Sequence, residues 1–398
     1  MQPLKGLTVV ALEHAIAAPF ATRQLADLGA RVIKIERPGS GDFARGYDER
    51  VRGLASHFVW TNRSKESLTL DVKQAQAAAI LQRLIIEKAD VVVQNLAPGA
   101  AARLGVSFEA LSTAKPGIIV CDISGYGDDA SRPGPYRDKK AYDLLVQSEA
   151  GFVSITGTTD EPCKSGNSIA DIAAGMYAYT NILAALMQRG IDGKGRRIDI
   201  SMLEALGEWM SYPLYYAFDG ASPPPRSGAS HATIYPYGPF PAGDGKTVML
   251  GLQNEREWVA FCDKVLLQPG LAQDARFAST SKRSAERVAL RALIVEAFAP
   301  LSAAQVMARL DLAQIANAQV KTMHELWEHP QLAARGRWRE VSSSAGAIPA
   351  LLPPGSSIDG EGPRMGGVPA LGEHTNAILG ELGLSAELIA TLRATKAI

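Results

Sequence analysis

The amino-acid sequence predicts an α/β fold, with a Rossmann-like large domain built on a parallel sheet and a smaller α+β domain. Three observations support this prediction. Short apolar runs recur along the N-terminal half, segments of helical periodicity separate them, and a stretch rich in Pro, Gly and Ser interrupts the pattern at 219–231. Strands that alternate with helices at this spacing form a parallel sheet covered by helices.

The predicted strands are apolar runs rich in Val, Ile and Leu, and helical segments such as AAPFATRQLADLG and AQAAAILQRLIIEKA lie between them. The fingerprint GxGxxG of dinucleotide-binding folds does not follow the first run. HAIAAP stands there instead, which disfavours an NAD or FAD site. The five strand segments are LTVVAL at 7–12, ARVIKIE at 30–36, DVVVQN at 90–95, GIIVCDIS at 117–124 and RRIDISM at 196–202.

The second domain is predicted to follow the stretch rich in Pro, Gly and Ser. There YPYGPFPAGDGKTVMLGLQ predicts an antiparallel hairpin around a Gly-Asp-Gly turn, and helical patterns come after it. The C-terminal stretch is turn-rich and too short for a core of its own, so we expect it to pack on the large domain. The predicted divisions are 1–204 for the N-terminal part of the large domain, 205–227 for a linker, 228–325 for the small domain, 326–350 for a second linker and 351–398 for the C-terminal part.

Composition excludes several classes of protein. The chain has 41 Lys and Arg against 41 Asp and Glu, so its charge gives no reason to expect a nucleic acid or an anionic membrane as partner. It has no run of 18 uncharged apolar residues, and we expect no membrane span. The three cysteines and six histidines lack the spacing of disulfide or metal sites, so we expect free thiols, a cytoplasmic location and no metal centre.

Polar residues follow the predicted strands at the edge where parallel sheets bind their ligands. They are His14, Arg37 and Asn95. His14 either satisfies a backbone group or meets a phosphate or an adenine-bearing ligand. Further cations lie at predicted strand ends and in predicted loops: Lys34, Arg63, Lys65, Lys73, Arg103, Lys139 and Lys140. Each alone is typical of a solvated surface charge, but together with Arg37 they suit a ligand with several phosphates, such as coenzyme A.

Asp171 begins a long helical pattern in SIADIAAGMYAYTNILAALMQRG. An acidic residue at a helix start is typical of a cap, because it accepts hydrogen bonds from free backbone N–H groups and suits the positive end of the dipole. The local pattern alone favours this capping role over a chemical one. The small residues beside Asp171 leave room for a bulky group next to its carboxylate.

Several strings of the sequence occur in the order of one enzyme family. They include LKGLTVVALEHAIAAP, GARVIKIERPGSGD, NRSKESLTLDVK, VVQNLAPGAAARLG, DISGYG, SIADIAAGMYA, EHPQLAARGRW and PALGEHTNAILGELG. Over nearly its whole length the chain resembles the family III CoA-transferases, a group that includes formyl-CoA:oxalate transferase and acyl-CoA racemases.

This resemblance implies an enzyme that moves CoA between an acyl-CoA thioester and a carboxylic acid, with no tightly bound cofactor. Asp171 matches the family's catalytic aspartate. In that family, the aspartate first forms a mixed anhydride with the acyl group and then a thioester with CoA. The family also implies an interlocked homodimer. The positions that match its CoA site are His14, Ala17, Arg37, Leu70, Lys73, Asn95, Leu96, Arg103, Lys140 and Tyr142.

The resemblance also bears on the substrate. Ile16 stands where formyl-CoA transferase has a glutamine, which argues against oxalate. The stretch RSGASHATIYPYGPF is similar to that of transferases acting on short dicarboxylates. Succinyl-CoA is thus the expected donor, and mesaconate, itaconate, citramalate, malate or the mimic 3-sulfinopropionate the expected acceptor. Besides Ile16, the candidate residues for binding the acid are Arg45, Arg226 and His231, since a guanidinium offers two parallel donors.

Two alternatives stay open. An acyl-CoA racemase or isomerase would move an α-proton with a His and Asp pair, and that motif falls at Tyr142 and Asp143, where no His stands. A non-catalytic acyl-CoA-binding protein of the same fold would bind CoA without turnover, and hydroxylamine would trap no acyl-enzyme.

Overall fold

The computed structural model describes residues 2–355 and 361–398, and these form two compact units. The large unit comprises Met1–Ala150, Ser165–Ser211 and Leu332–Ile398, and the small unit comprises Gly151–Lys164 and Tyr212–Gln331. The chain therefore leaves the large unit twice and returns twice. The predicted division has one excursion, 228–325, because the short segment 151–164 carries no periodic signal of its own.

The part of the chain that the structure describes contains eleven strands. They are β1 (Thr8–Leu12), β2 (Arg31–Glu36), β3 (Lys65–Thr69), β4 (Val91–Gln94), β5 (Ile119–Ser124), β6 (Arg197–Ser201), β7 (Tyr237–Pro241), β8 (Thr247–Gly251), β9 (Ala316–Gln319), β10 (Trp338–Val341) and β11 (Ile348–Leu351). In the large unit β3-β2-β1-β4-β5-β6 form a parallel sheet and β10-β11 an antiparallel pair, whereas the small unit holds the antiparallel sheet β7-β8-β9.

The α/β class and the parallel sheet are confirmed, and all five predicted strand segments are strands of that sheet. The strand order reverses between β1 and β4, since Val10 pairs with Ile33 of β2 on one side and with Val92 of β4 on the other. Open α/β sheets bind ligands at the carboxyl ends of the strands beside such a reversal.

The strand β3 is not among the predicted strands, because its residues KESLT do not form an apolar run. β3 is an edge strand of the sheet and pairs with β2 only. Its polar residues are satisfied by the neighbouring strand: the Ser67 hydroxyl donates to Glu36 at 2.6 Å, and Arg31 pairs with Glu66 at 2.8 Å. An edge position tolerates such residues, so hydrophobicity alone did not reveal the strand.

Helices cover both faces of the sheet and build most of the small unit. They are α1 (Ala17–Asp27), α2 (Ser56–Asn62), α3 (Ala75–Lys88), α4 (Ala100–Arg103), α5 (Phe108–Ser112), α6 (Asp143–Glu149), α7 (Phe152–Ile155), α8 (Ile169–Asp192), α9 (Met202–Trp209), α10 (Ser211–Tyr216), α11 (Glu255–Ala260), α12 (Thr280–Ala285), α13 (Arg287–Phe298), α14 (Ala303–Leu312), α15 (Met323–Trp327), α16 (Pro330–Ala334), α17 (Thr375–Glu381) and α18 (Ala386–Ala394). Short 3-10 helices occur at Phe43–Gly46, Phe218–Gly220 and Pro269–Gln273, and a π-helix at Phe261–Val265.

One apolar core of the large unit joins strands, α3 and the C-terminal helices. Val10 and Ile33 of the sheet share it with Leu81 of α3, Leu379 of α17 and Leu392 of α18. The C-terminal segment thus packs against the same layer as the N-terminal strands. On the predicted linkers the structure differs, because α9 and α10 occupy most of 205–216 and β10 lies within 326–350. The helical patterns of α9 and α10 come before the Pro-rich stretch, and the strand pattern of β10 comes after it.

The long helix α8 packs closely against α1. A Cβ atom on Gly175 would lie 2.7 Å from the Ala17 carbonyl oxygen and 2.9 Å from the Phe20 ring, so only glycine allows this approach. Among the described residues, α8 is the one single helix that is long and apolar enough to span a membrane. The helices α13 and α14, which are bent against each other, reach that length and hydropathy only when they are taken together.

The small unit has a separate core of aromatic and aliphatic side chains, including Trp258, Phe261, Phe277 and Phe298. The predicted hairpin is present as β7 and β8, and β9 adds a third antiparallel strand. The short sequence ANAQ of β9 gave no strand signal.

Candidate active site

The turn between β1 and α1 lies at the carboxyl edge of the sheet and is held from both sides. On one side, Asn95 follows β4 and pairs with the backbone of His14. The His14 N–H donates to Asn95 Oδ1 at 2.9 Å, and Asn95 Nδ2 donates to the His14 carbonyl at 2.9 Å. This double hydrogen bond fixes the beginning of the turn against the neighbouring strand.

On its other side the turn is held by Asp42. Ala15 has a φ of 60°, an unfavourable conformation for a residue with a Cβ, and its N–H donates to Asp42 Oδ1 at 3.1 Å. The same oxygen accepts the Ala44 N–H at 2.9 Å. Asp42 therefore connects the turn to the 3-10 helix that begins at Phe43.

Beneath the turn lies a buried cluster of charges. Lys34 Nζ, which is fully buried, donates to Asp42 Oδ2 at 2.8 Å and to Glu13 Oε1 at 3.3 Å. Lys65 Nζ donates to the same Glu13 oxygen at 2.6 Å. Burial acts against the charge of Glu13, but the two lysines hold its pKa below the usual range. Each buried charge in this cluster is paired, as its low-dielectric surroundings require.

Asp171 lies in the first turn of α8, and the backbone N–H of Ala17, the first residue of α1, acts on its carboxylate to lower the pKa. Burial, and to a lesser extent the negative charge of Asp143, raise the pKa of Asp171 to about 7, and the Ala17 N–H acts in the opposite direction. Near neutral pH this carboxyl group is thus poised between its protonated and ionised forms. Such a shift is typical of functional sites.

Asp143, the first residue of α6, caps the start of α8. Its Oδ1 accepts the N–H of Ala170 at 2.8 Å and the N–H of Asp171 at 3.3 Å, and its Oδ2 accepts from Gln147 at 2.6 Å. The capping role that the local pattern favoured for Asp171 therefore belongs to Asp143. In the sequence, Asp143 stands out only as part of the racemase motif.

A row of aromatic side chains that was not predicted from the sequence lies beside the turn. His14 stacks on Phe43 with ring centroids 5.4 Å apart, and Tyr47 follows at 5.8 Å from Phe43. Phe43 is 48% exposed and Tyr47 47% exposed. Burial, together with the charges of Asp42 and Asp171, raises the pKa of Tyr47 to about 12. The only sequence signal for this row is the aromatic spacing in GDFARGY, next to the turn-rich PGSG.

A cleft of about 1000 Å³ opens beyond the carboxyl ends of the first four strands. Residues at and just after the ends of those strands line it, together with the loop before α3, residues of α4 and the residues after α18. The lining residues are Leu12, His14, Ile35, Glu36, Arg37, Pro38, Gly39, Ser40, Leu70, Asp71, Val72, Lys73, Leu96, Ala100, Arg103, Leu104, Lys396 and Ile398. Four of them are Lys or Arg, and two are acidic.

Comparison with known proteins explains this arrangement. A family model described as CoA-transferase family III matches residues 4–375. The chain belongs to CoA-transferase family III. It is therefore a CoA-transferase, an enzyme whose substrates are CoA thioesters.

Family III relatives match along the whole chain. A succinate–glutarate CoA-transferase from Agrobacterium fabrum is 32% identical and covers 96% of this chain and 96% of that protein. A succinyl-CoA:mesaconate CoA-transferase from Haloarcula marismortui is 32% identical over 96% of this chain and 97% of its own length. The crystal structure of a CAIB/BAIF family protein from Brucella suis has a TM-score of 0.83 at 32% identity, and covers 96% of this chain and 99% of that one.

The structure brings together six of the ten residues that the family resemblance assigned to CoA binding. They are His14, Arg37, Leu70, Lys73, Leu96 and Arg103, and all of them line the cleft. Ala17 and Asn95 do not line it and instead form and hold the turn. Lys140 lies on the exposed segment before α6, and Tyr142 is 67% exposed beside Tyr47.

The candidate residues for binding the acid are already engaged with other parts of the protein. Ile16 is buried in the turn. Arg45 forms a forked pair with Glu36, with Nε at 2.8 Å from Oε1 and Nη2 at 2.8 Å from Oε2, and its guanidinium lies over the Phe58 ring. Those donors of Arg45 therefore stabilise the loop after β2.

In the small unit, the guanidinium of Arg226 donates to the carbonyl oxygens of Thr158 at 2.9 Å and Thr159 at 2.8 Å. His231 Nδ1 accepts the N–H of Ile234 at 3.0 Å, and its ring stacks on Tyr237. These contacts fold the loop that precedes β7. Arg226 also lines a second cleft of about 970 Å³ within the small unit.

Within residues 2–355 and 361–398, no group of three or more His, Cys, Asp or Glu side chains is arranged to hold a metal ion. The three cysteines are free thiols; Cys121 and Cys262 are buried and Cys163 is exposed.

Proposed function

We propose that this family III enzyme transfers CoA from succinyl-CoA to a short dicarboxylate, with Asp171 as the nucleophile that carries the acyl group. One observation supports this above all: the Ala17 N–H acts on the buried Asp171 carboxylate, and the turn just before Ala17 presents His14 to the cationic cleft. A thioester whose CoA phosphates bind in the cleft would hold its carbonyl group near the carboxylate. Fixed geometry then replaces a bimolecular encounter.

The reaction begins when a carboxylate oxygen of Asp171 attacks the thioester carbonyl carbon. The C–S bond breaks, CoA leaves as a thiolate, and a mixed anhydride forms. The thiolate then attacks the Asp171 carbonyl, releasing the first acid as a carboxylate and leaving an aspartyl-CoA thioester. The incoming carboxylate attacks this thioester and the same steps run in reverse, so the cycle restores Asp171 and consumes no proton.

The environment of Asp171 suits this role. Burial and the nearby charge of Asp143 disfavour the free carboxylate, and its pKa of about 7 makes the ionised form more basic than an ordinary aspartate. Attack on the thioester disperses that charge. The Ala17 N–H, which already acts on this carboxylate, would donate to an oxygen that bears negative charge during transfer.

The names of the relatives support the substrate class. The Agrobacterium protein is named for succinate and glutarate, and the Haloarcula protein for succinyl-CoA and mesaconate. We therefore propose mesaconate, itaconate, citramalate, malate or 3-sulfinopropionate as acceptors.

The family resemblance further supports an interlocked homodimer. The large unit has exposed apolar residues that a partner subunit could bury: Met187 at 75%, Ile191 at 81% and Trp209 at 44% exposure.

The test compares the unaltered protein with Asp171→Ala and Asp171→Asn, and with Asp192→Ala at the other end of the same helix as a matched control. Each is incubated with succinyl-CoA and a panel of acids, and new thioesters are identified by mass. We expect the Asp171 variants to lose transfer by more than about a thousandfold and to bind CoA normally. The control should keep its activity.

Hydroxylamine provides a second readout. It should convert an acyl-enzyme to a hydroxamate on the peptide that contains Asp171, but only when succinyl-CoA is present. Normal turnover by Asp171→Ala would overturn the mechanism. Transfer to monocarboxylic acids alone would overturn the dicarboxylate proposal, and α-proton exchange without thioester exchange would indicate a racemase.

A further inference from the structure

The end of the chain forms one wall of the cleft, where Lys396 and Ile398 lie among the lining residues. We propose that Lys396 is an additional CoA-binding residue whose ammonium group binds a phosphate of CoA. This inference rests on the proposed function, because it assigns the cleft to CoA, and it adds the C-terminal turn to the binding site.

The backbone of this turn is closely fixed. After α18, the Lys396 N–H donates to the Arg393 carbonyl at 3.0 Å and the Ala397 N–H donates to the Leu392 carbonyl at 2.8 Å. These are the two hydrogen bonds of a Schellman motif, and the buried side chains of Leu392 and Ala397 supply its usual apolar contact. The position of Lys396 is therefore set by the helix end.

Lys396 occupies the residue of this motif that is usually glycine. Its φ is 58°, a left-handed conformation that is unfavourable for a side chain with a Cβ. A glycine there would make the same hydrogen bonds without that strain. Compared with glycine, a lysine at this position contributes only its side chain, and that side chain is exposed and lines the cleft.

The turn is also tied to the loop that carries Lys73. The Asp71 N–H donates to the Ala397 carbonyl at 2.8 Å, and Gln74 Nε2 donates to the Lys396 carbonyl at 3.2 Å. Lys73 and Lys396 are thus held on adjoining walls of the cleft. Two cations on fixed backbone segments can bind one polyanion with little further ordering.

The charges of the cleft are not neutralised from within. Four cations line the cleft: Arg37, Lys73, Arg103 and Lys396. In the described part of the chain, none of them takes part in an ion pair. Of the two lining acids, Glu36 is paired with Arg45, which does not line the cleft. Asp71 alone remains as a negative charge that is unpaired within the described residues, with hydrogen bonds from the Lys73 backbone N–H and from Gln74. The cleft therefore presents net positive charge, which matches the 3′-phosphate and diphosphate of CoA.

The test measures CoA binding to the full-length protein by titration calorimetry for Lys396→Gly, Lys396→Met and Lys396→Arg. Lys396→Gly removes the ammonium group and relieves the backbone strain, so it separates charge from folding. Arg393→Met is the matched control, because Arg393 lies in the same helix end but binds Asn376 and does not line the cleft.

We expect Lys396→Gly and Lys396→Met to weaken CoA binding roughly 3- to 10-fold at low salt, with a smaller loss at high salt. Lys396→Arg and Arg393→Met should bind CoA normally, and the melting temperature of Lys396→Gly should not fall. Normal CoA binding by Lys396→Gly, or a loss independent of salt, would overturn the inference. CoA binding is measured without turnover, so the two proposals can fail separately. If the unaltered protein bound CoA but transferred none, the proposed function would be refuted and the inference about Lys396 would stand.

Discussion

The backbone N–H of Asp171 donates to the carboxylate of Asp143 at 3.3 Å, so two acidic residues meet at the start of α8. The stronger of the two capping bonds joins the same carboxylate to Ala170 at 2.8 Å. Because Asp143 supplies the cap, the carboxylate of Asp171 is available to the β1–α1 turn. The neighbouring negative charge also contributes to its raised pKa.

The first prediction concerns the pH dependence of transfer. For a nucleophile with a pKa of about 7, kcat/KM for the CoA thioester should rise with pH through that value. Asp143→Asn removes the second-largest cause of the raised pKa but leaves an oxygen to accept the Ala170 N–H. The rising limb should therefore move to lower pH by about one unit. In the control Asp192→Asn, the rising limb of kcat/KM should keep its position. If the limb of Asp143→Asn also kept its position, burial alone would set the pKa of Asp171.

The second prediction concerns stability. The pKa of Asp171 is higher in the folded protein, at about 7, than in the unfolded chain, so its contribution to stability is present at acid pH and is lost as pH rises through 7. Asp171→Asn cannot ionise. Its free energy of unfolding relative to the unaltered protein should therefore rise by about 2–3 kcal/mol between about pH 4.5 and 8.5, measured by urea denaturation. A constant difference across this range would contradict the raised pKa.

A third prediction concerns the contact between α8 and the turn. Gly175→Ala places a Cβ 2.7 Å from the Ala17 carbonyl oxygen, so α8 and the turn must separate. We expect a loss of about 1–3 kcal/mol in unfolding free energy and a fall in kcat of roughly tenfold or more, because Ala17 contacts Asp171. Gly190→Ala is the control. It lies on the same helix with no atom within 4 Å of its Cβ, so it should stabilise by up to about 1 kcal/mol.

The fourth prediction concerns the buried charges beneath the turn. Lys34→Met leaves the Asp42 carboxylate, which holds Ala15, without its cation. Loss of one partner of a buried pair should cost about 3–5 kcal/mol in unfolding free energy. Arg83→Met removes an exposed pair with Glu87 and should cost less than about 1 kcal/mol. Equal effects in chemical denaturation would mean that the Lys34 cluster does not stabilise the fold.

Some of this site could be predicted from the sequence because it depends on local pattern. Strands such as VVVQ in β4 are apolar on both faces, so the parallel sheet and its carboxyl edge follow from the sequence alone. Arg37 and Asn95 come directly after strands and His14 comes two residues after one, and these positions bring them to one edge of the sheet.

Other features required the tertiary structure, because they join residues that are distant in sequence. Asp143 caps a helix 28 residues later, and Asp42 holds Ala15 across 27 residues. Neither residue differs locally from an ordinary surface acid. Their roles arise only when α6 and the loop after β2 pack beside the turn.

The sequence by itself thus determined the fold class, the family and the strand ends that line the cleft. The folded chain decided which carboxylate caps α8 and which one meets Ala17, and it brought Lys396 to the wall of a cleft built mainly from N-terminal strands. The physical reason is that periodicity and strand ends are encoded in neighbouring residues. Burial, hydrogen-bond partners and the resulting pKa of Asp171 depend on contacts that form only when distant segments pack together.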